Sequence, residues 1–158
     1  MASVRRATEA DLDAMIAMGQ ALHDESPRYA GMAFSPDKLR RLWAQLQGTL
    51  LAESDRGCVF VAEEGGEVVG MTVGIAAERW FSEERYLTDL TLYVQPAHRG
   101  GTAFRRLVGV LERWAAEQGL DQLALGVSTE IHPERTVRAY ERLGYRLAGY
   151  TMVKQNGN

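Results

Sequence analysis

The stretch that decides the fold is YLTDLTLYVQPAHRGGTAFRRLVGVLERWAAEQGLDQLALGV, residues 86–127. Its first nine residues alternate. Leu90, Leu92 and Val94 fall on one face of a strand; Asp89, Thr91 and Tyr93 fall on the other. A glycine-bearing turn, QPAHRGGTA, follows. Phe104, Leu107, Val108, Leu111, Trp114 and Ala115 then recur at helical spacing, and Gly119 stops the helix. Leu123, Leu125 and Val127 read as a second strand. A strand, a helix and a strand at this spacing predict a parallel, right-handed crossover.

Ahead of this stretch, residues 3–7 read as a short strand. Thr8 offers a helix N-cap with Asp11 three residues on, and Leu12, Met15, Ile16, Gly19 and Leu22 continue at helical spacing. Residues 25–34 form a loop. Ser35-Pro36 opens a second helix with Leu39, Leu42, Trp43 and Leu46 on one face, fading near Gly48. Residues 58–63 and 67–77 are β-type runs around Glu64-Gly65-Gly66, a hairpin signal. ERWFSEER is expected to connect to the 86–94 strand. Past Val127, His132-Pro133 begins a helix reaching Leu143, Gly144 caps it, and residues 145–154 are expected to add a last strand. The order β-α-α-β-β-β-α-β-α-β predicts a mixed α/β (α+β) fold around one central sheet, with residues 1–158 forming a single domain.

Composition bounds the function. The 158 residues carry 18 Lys+Arg against 21 Asp+Glu, a net charge of −3. That balance exerts no global attraction on nucleic acid or anionic membrane, so any anion site is local. One cysteine, Cys58, makes no internal disulfide and reads as a small buried hydrophobe. No apolar run reaches the ~18 residues of a membrane span, and the opening MASVRR does not read as a signal peptide. The expected setting is cytoplasmic, with neither nucleic acid nor membrane as a partner. His23, His98 and His132 are scattered without metal-ligand spacing, so no metal site is expected. His23-Asp24-Glu25 reads as a solvated helix end.

The turn His98-Arg99-Gly100-Gly101-Thr102-Ala103 suits an anion. The first backbone N–H groups of a helix lack partners, and the helix dipole adds positive potential. Glycine lets the backbone approach a phosphate closely, and Thr102 and Arg99 add a hydroxyl and a guanidinium. A tight turn that merely needs glycine is the competing reading. There is no GxxxxGK[ST] and no GxGxxG after the first strand, which excludes a Walker-type ATP site and a dinucleotide fingerprint. Downstream, Val137, Tyr140 and Leu143 share one side of a helix. Tyr140 is either a core aromatic or a residue facing a ligand held by the loop.

Taken together, His98-x-x-Gly101-x-Ala103 and Ala139-Tyr140-Glu141-Arg142-Leu143-Gly144-Tyr145 resemble the two signatures of the GNAT superfamily of acyl-CoA-dependent N-acetyltransferases, in order and at family spacing. The resemblance implies a mostly antiparallel sheet with a parallel unit at the cofactor site. It implies acetyl-CoA as co-substrate, its diphosphate on the N–H groups of His98, Arg99, Gly100, Gly101, Thr102 and Ala103. The pantetheine arm would lie along Leu92, Tyr93 and Val94, where a backbone N–H would polarise the thioester carbonyl. Tyr140 matches the family's general acid, which protonates the leaving thiolate after direct attack by an amine. The implied acceptor is an amine-bearing small molecule or peptide. A CoA-binding sensor without turnover is the alternative, and a homodimer is implied by analogy alone.

The sequence departs from the pattern at three places. His98 replaces a Gln or Arg and still donates. Pro133 stands where an Asn is common, so a contact to pantetheine or acceptor is lost or moved. No base is evident on the fourth strand: the face shared with Val94 holds Thr88 and Leu90, while Asp89 is expected to point away and to partner an arginine. Glu78 is a candidate base or a solvated carboxylate. Arg105 and Arg106 would meet the 3′-phosphate or line a solvated helix face. Trp80, Phe81, Tyr29, Met32 and Phe34 are candidates for an acceptor-pocket wall.

Overall fold

The computed structural model describes residues 1–46 and 55–156. Five strands form one sheet in the order β1-β2-β3-β4-β5: β1 (Ser3–Arg6), β2 (Gly57–Glu64), β3 (Glu67–Arg79), β4 (Ser82–Val94) and β5 (Leu123–Ala124). The first four run antiparallel to their neighbours. β4 and β5 are parallel, joined by α3 (Ala103–Glu117), as the 86–127 stretch predicts. α1 (Leu12–Glu25) and α2 (Pro36–Leu46) precede β2, and α4 (Pro133–Glu141) follows β5.

A capping box between Thr8 and Asp11 starts a 3₁₀ turn, Glu9–Asp11, that runs directly into α1. The Asp11 carboxylate accepts the Thr8 N–H at 2.7 Å and is held by the Arg5 guanidinium at 2.8 and 2.9 Å. That contact keeps the Asp11 carboxyl below its usual range, against the opposing effect of burial. α2 begins where the Ser35 hydroxyl accepts the Lys38 N–H. Its fade near Gly48 lies outside the described residues.

The sheet separates two apolar layers. On one face, Met15, Met18 and Trp43 of α1 and α2 pack on Val59, Val61, Met71, Val73 and Tyr93. On the other, Leu107, Leu111 and Trp114 of α3 pack with Cys58, Ala62, Val69, Leu87 and Val94. Leu107 and Leu111 are fully buried, each contributing ~1.5–3 kcal/mol by removal from water. The approach is close. A methyl on Gly74 would lie 2.9 Å from Leu111 Cδ2 and 3.0 Å from Cys58 Sγ, so only glycine lets the helix seat there. Cys58 is inert in this setting, its thiol pushed up to about 12 by burial.

The structure corrects the sequence reading at four places. ERWFSEER is mostly strand: β3 runs to Arg79 and β4 starts at Ser82, leaving Trp80 and Phe81 as the hairpin tip. The strands extend past the core there, so both faces carry polar residues and alternation disappears. β5 is two residues long, and Leu125 and Val127 are unpaired. Residues 145–154 form no strand; Leu147, Tyr150, Met152 and Val153 are exposed.

The fourth difference is a bulge. Thr91 pairs with Val73 and Asp89 with Gly74, so Leu90 has no partner on β3. An extra residue reverses the alternation below it. Leu87 and Asp89 therefore share a face with Leu92 and Val94, Thr88 lies on the opposite face, and Leu90 is thrown out to 56% exposure.

Candidate active site

β4 pairs with β5 only at Leu87 and Thr88. Beyond that point the two segments part, and the outer edge of β4 through Leu92, Tyr93 and Val94 meets no strand. Asp89 stands at the vertex of the split. Its Oδ1 accepts the Gly126 N–H at 2.7 Å, not an arginine as the sequence suggested. Burial raises the Asp89 carboxyl above its ordinary range, and the Gly126 N–H opposes that shift.

The loop after β4 turns through a 3₁₀ segment, Pro96–His98, and enters α3 at Ala103. Gly100 has φ +87°, in the left-handed region that favours glycine. The first turn of α3 carries no acidic residue, and its leading N–H groups have no carbonyl within the helix to pair with. Thr102 Oγ1 is buried with no hydrogen-bond partner. A shielded hydroxyl without a partner beside free amides, on a loop opened by glycine, fits a phosphate group.

Both basic side chains of the loop are engaged within the protein. His98 Nδ1 lies 2.9 Å from Glu64 Oε2. Arg99 donates Nε–H to the Val94 carbonyl at 2.9 Å and grips Glu25 with both terminal nitrogens, at 2.5 and 2.6 Å. Its guanidinium carbon lies 5.3 Å from the Tyr93 ring centroid. Glu25 is therefore no solvated helix end: it ties α1 to the loop, and the Arg99 contact holds its carboxyl below the usual range against burial.

Tyr140 is buried on α4. Its ring packs edge-on against Phe104, centroids 5.1 Å apart, and against Tyr145 at 5.4 Å. Phe104 immediately follows the glycine loop, so the two motifs some 40 residues apart in sequence meet here. Burial first, then the charge of Asp89, then Tyr145 push the Tyr140 phenol well above the tyrosine range. It stays protonated at neutral pH, a firm hydrogen-bond donor and a weaker acid than a free phenol. Tyr140 lines an open groove of about 1640 Å³ with Tyr86, Gly126, Pro133 and Tyr150. That is larger than the ~300–1,000 Å³ usual for a small ligand, and unpaired residues after Gly144 form part of its wall.

Two ties that the sequence did not signal cross this region. Ser26 Oγ donates to the Thr129 carbonyl at 2.6 Å, and Arg28 Nη1 to the Ser128 carbonyl at 2.8 Å. The proposed aromatic wall is not one surface. Trp80 and Phe81 pack on each other at an exposed hairpin tip, while Tyr29 and Phe34 pack around His23, whose Nε2 lies 2.8 Å from the Met32 carbonyl. Glu78 is exposed on β3. Among the described residues no group of three or more metal-ligating side chains occurs, and no helix is long and apolar enough to cross a membrane.

The fold that carries this split sheet, glycine loop and buried tyrosine is similar to that of several solved acetyltransferases. The chain belongs to the acetyltransferase (GNAT) family, which residues 19–145 match. It is 27% identical over 97 residues to N-acetyltransferase family 8 member 2 of Rattus norvegicus, a match spanning 61% of this chain and 42% of that protein. Its fold is similar to a transcriptional regulator from Bacillus halodurans C-125, with TM-score 0.77, 22% identity, and 99% and 100% of the two chains covered. It is also similar to AAC(6')-Iy in complex with the bisubstrate analogue CoA-S-monomethyl-acetylneamine, with TM-score 0.75, 14% identity, and 100% and 99% covered. Glucosamine-6-phosphate N-acetyltransferase from Arabidopsis thaliana shares the fold at TM-score 0.73 and 15% identity, with 98% of each chain covered.

Proposed function

We propose that this protein is an N-acetyltransferase that moves the acetyl group of acetyl-CoA to a primary amine of a small molecule or peptide by direct attack in a ternary complex. The observation that carries the reading is the packing of Tyr140 on Phe104, which puts a protonated phenol next to an anion-suited loop. When bound, acetyl-CoA supplies an activated thioester carbonyl and a thiolate leaving group. The N–H groups of Gly100, Gly101, Thr102 and Ala103 and the Thr102 hydroxyl would hold its diphosphate. The unpaired edge of β4 at Leu92, Tyr93 and Val94 would hold the pantetheine amides as an added strand does. Tyr140 would hold a proton for the departing sulfur. Glucosamine-6-phosphate and a set of aminoglycosides are the starting acceptor panel.

The unpaired residues 145–154 support a homodimer. An exposed run with Leu147, Tyr150, Met152 and Val153 beside a sheet edge invites pairing with a second copy. A cytoplasmic setting is part of this reading, since a lone buried cysteine such as Cys58 asks for no disulfide partner. The test is thiol release from acetyl-CoA in the presence of an amine panel, with calorimetry of CoA binding alongside. Release that depends on one amine class supports the enzyme; CoA binding with no release for any amine supports a sensor module; no CoA binding at millimolar concentration ends the reading.

A further inference from the structure

The two basic side chains that the loop itself offers are already engaged within the protein, which leaves the diphosphate to another source of positive charge. His98 faces Glu64, and Arg99 is gripped by Glu25 at both terminal nitrogens. Freeing Arg99 would cost a bidentate ion pair and the Val94 carbonyl contact together. The helix dipole and the orphan Thr102 hydroxyl favour an anion, but neither carries a full charge.

A third guanidinium comes to the loop from α4. Arg135 Nη2 lies 4.0 Å from where a methyl on Gly100 would stand. Gly100 is the left-handed residue of the turn, so the guanidinium hangs over the point where the backbone opens. Arg135 makes no ion pair or hydrogen bond with any described residue, and it is exposed. A planar donor fork, unengaged and within reach of a phosphate cradle, is the arrangement in which arginine binds phosphate oxygens.

We propose that Arg135 of α4, rather than Arg99 of the loop, is the charged residue that binds the CoA diphosphate. This rests on the acetyl-CoA reading above. Arg135 and Tyr140 stand on the same nine-residue helix, five residues apart and about 7.5 Å along its axis. One helix thus carries both the charge that meets the diphosphate and the phenol intended for the sulfur. Arg99 becomes a positioning residue: it fixes the loop to α1 and does not touch the ligand.

The test is calorimetric titration of CoA, and of pantetheine as a probe without diphosphate, into the wild type, Arg135→Ala, Arg135→Lys and Arg142→Ala. Alanine is the best helix former and Arg135 is exposed, so the variant folds. Arg135→Ala should weaken CoA binding about tenfold or more, the effect of one charge-assisted contact, and leave pantetheine binding within about twofold. Arg135→Lys, which keeps the charge but loses the fork, should fall between. Arg142→Ala, which removes the exposed guanidinium at the C-cap of α4, seven residues beyond Arg135, should stay within about twofold of wild type. The log–log salt dependence of CoA binding should be shallower in Arg135→Ala. CoA binding by Arg135→Ala equal to that of a CoA-binding wild type overturns the assignment and leaves the acetyl-CoA reading standing. A wild type that binds no CoA overturns both.

Discussion

Arg99 and Glu25 join the phosphate loop to the end of α1 through two parallel contacts across 74 residues of sequence. Both side chains are about three-quarters covered, with 25% and 28% exposure. The pair holds the Glu25 carboxyl below its ordinary range. A carboxylate lowered in the folded state contributes stability in full above its unfolded value of ~4.3, and that stability is lost as pH falls through the folded value. Glu25→Gln should therefore cost about 1–2 kcal/mol near neutrality. Urea melts of the variant and wild type should converge at acid pH. A gap that persists undiminished well below pH 3 counts against the pair.

Asp89 shows the opposite sign. Burial raises its carboxyl, so the folded state binds the proton more tightly than the unfolded one, and stability falls as pH rises from the unfolded value through the folded one. Asn at this position keeps an acceptor for the Gly126 N–H and drops the buried charge. Asp89→Asn should be as stable as wild type or more so at neutral pH, whereas Asp89→Ala orphans Gly126 and should lose ~1–3 kcal/mol. Denaturant midpoints in which both variants lose equally would show that the carboxylate charge itself is required.

Tyr140→Phe keeps the ring on Phe104 and removes the hydroxyl alone. Turnover should drop by ~10²-fold or more, as for loss of a positioned proton donor, while CoA affinity stays within about twofold. Steady-state rates and calorimetry on the same preparation check both halves. Unchanged turnover removes Tyr140 from the chemistry.

Gly74→Ala probes the seat of α3. Its methyl would meet Leu111 at 2.9 Å and Cys58 at 3.0 Å, and overpacking of this kind costs ~1–3 kcal/mol. Thermal melts should show the loss. The double variant Gly74→Ala/Leu111→Ala should recover part of it relative to Leu111→Ala alone, because the added methyl fills the space that the leucine leaves.

The exposed run after Gly144 gives a hydrodynamic prediction. Wild type should sediment as a dimer, and Tyr150→Asp/Met152→Asp should shift it toward monomer. Both side chains are almost fully exposed in the single chain, at 87% and 91%, so the change should not unfold the domain. A wild type that is monomeric at tens of micromolar defeats the pairing.

Much of this architecture was readable from periodicity. The α3 stripe from Leu107 to Ala115 is buried as its spacing requires, and Thr8 with Asp11 marks the 3₁₀ turn that leads into α1. The loop from His98 to Ala103 falls between β4 and α3 as read. What escaped was whatever depends on partners distant in sequence. The bulge at Leu90 is invisible to a rule of strict alternation, which places Asp89 on the wrong face. Glu25 reads as solvated because nothing near it in sequence reveals Arg99. Residues 145–154 have strand-like composition, but a strand exists only when another edge accepts its hydrogen bonds.

The ties from Ser26 to Thr129 and from Arg28 to Ser128 link residues about a hundred positions apart. During synthesis neither tie can form until residues 128 and 129 have left the ribosome. A nascent chain on the ribosome would thus display the sheet through β4 well before the cleft has its second wall. Until the segment around residue 129 emerges, the α1 end of the cleft stays open to chaperones and proteases.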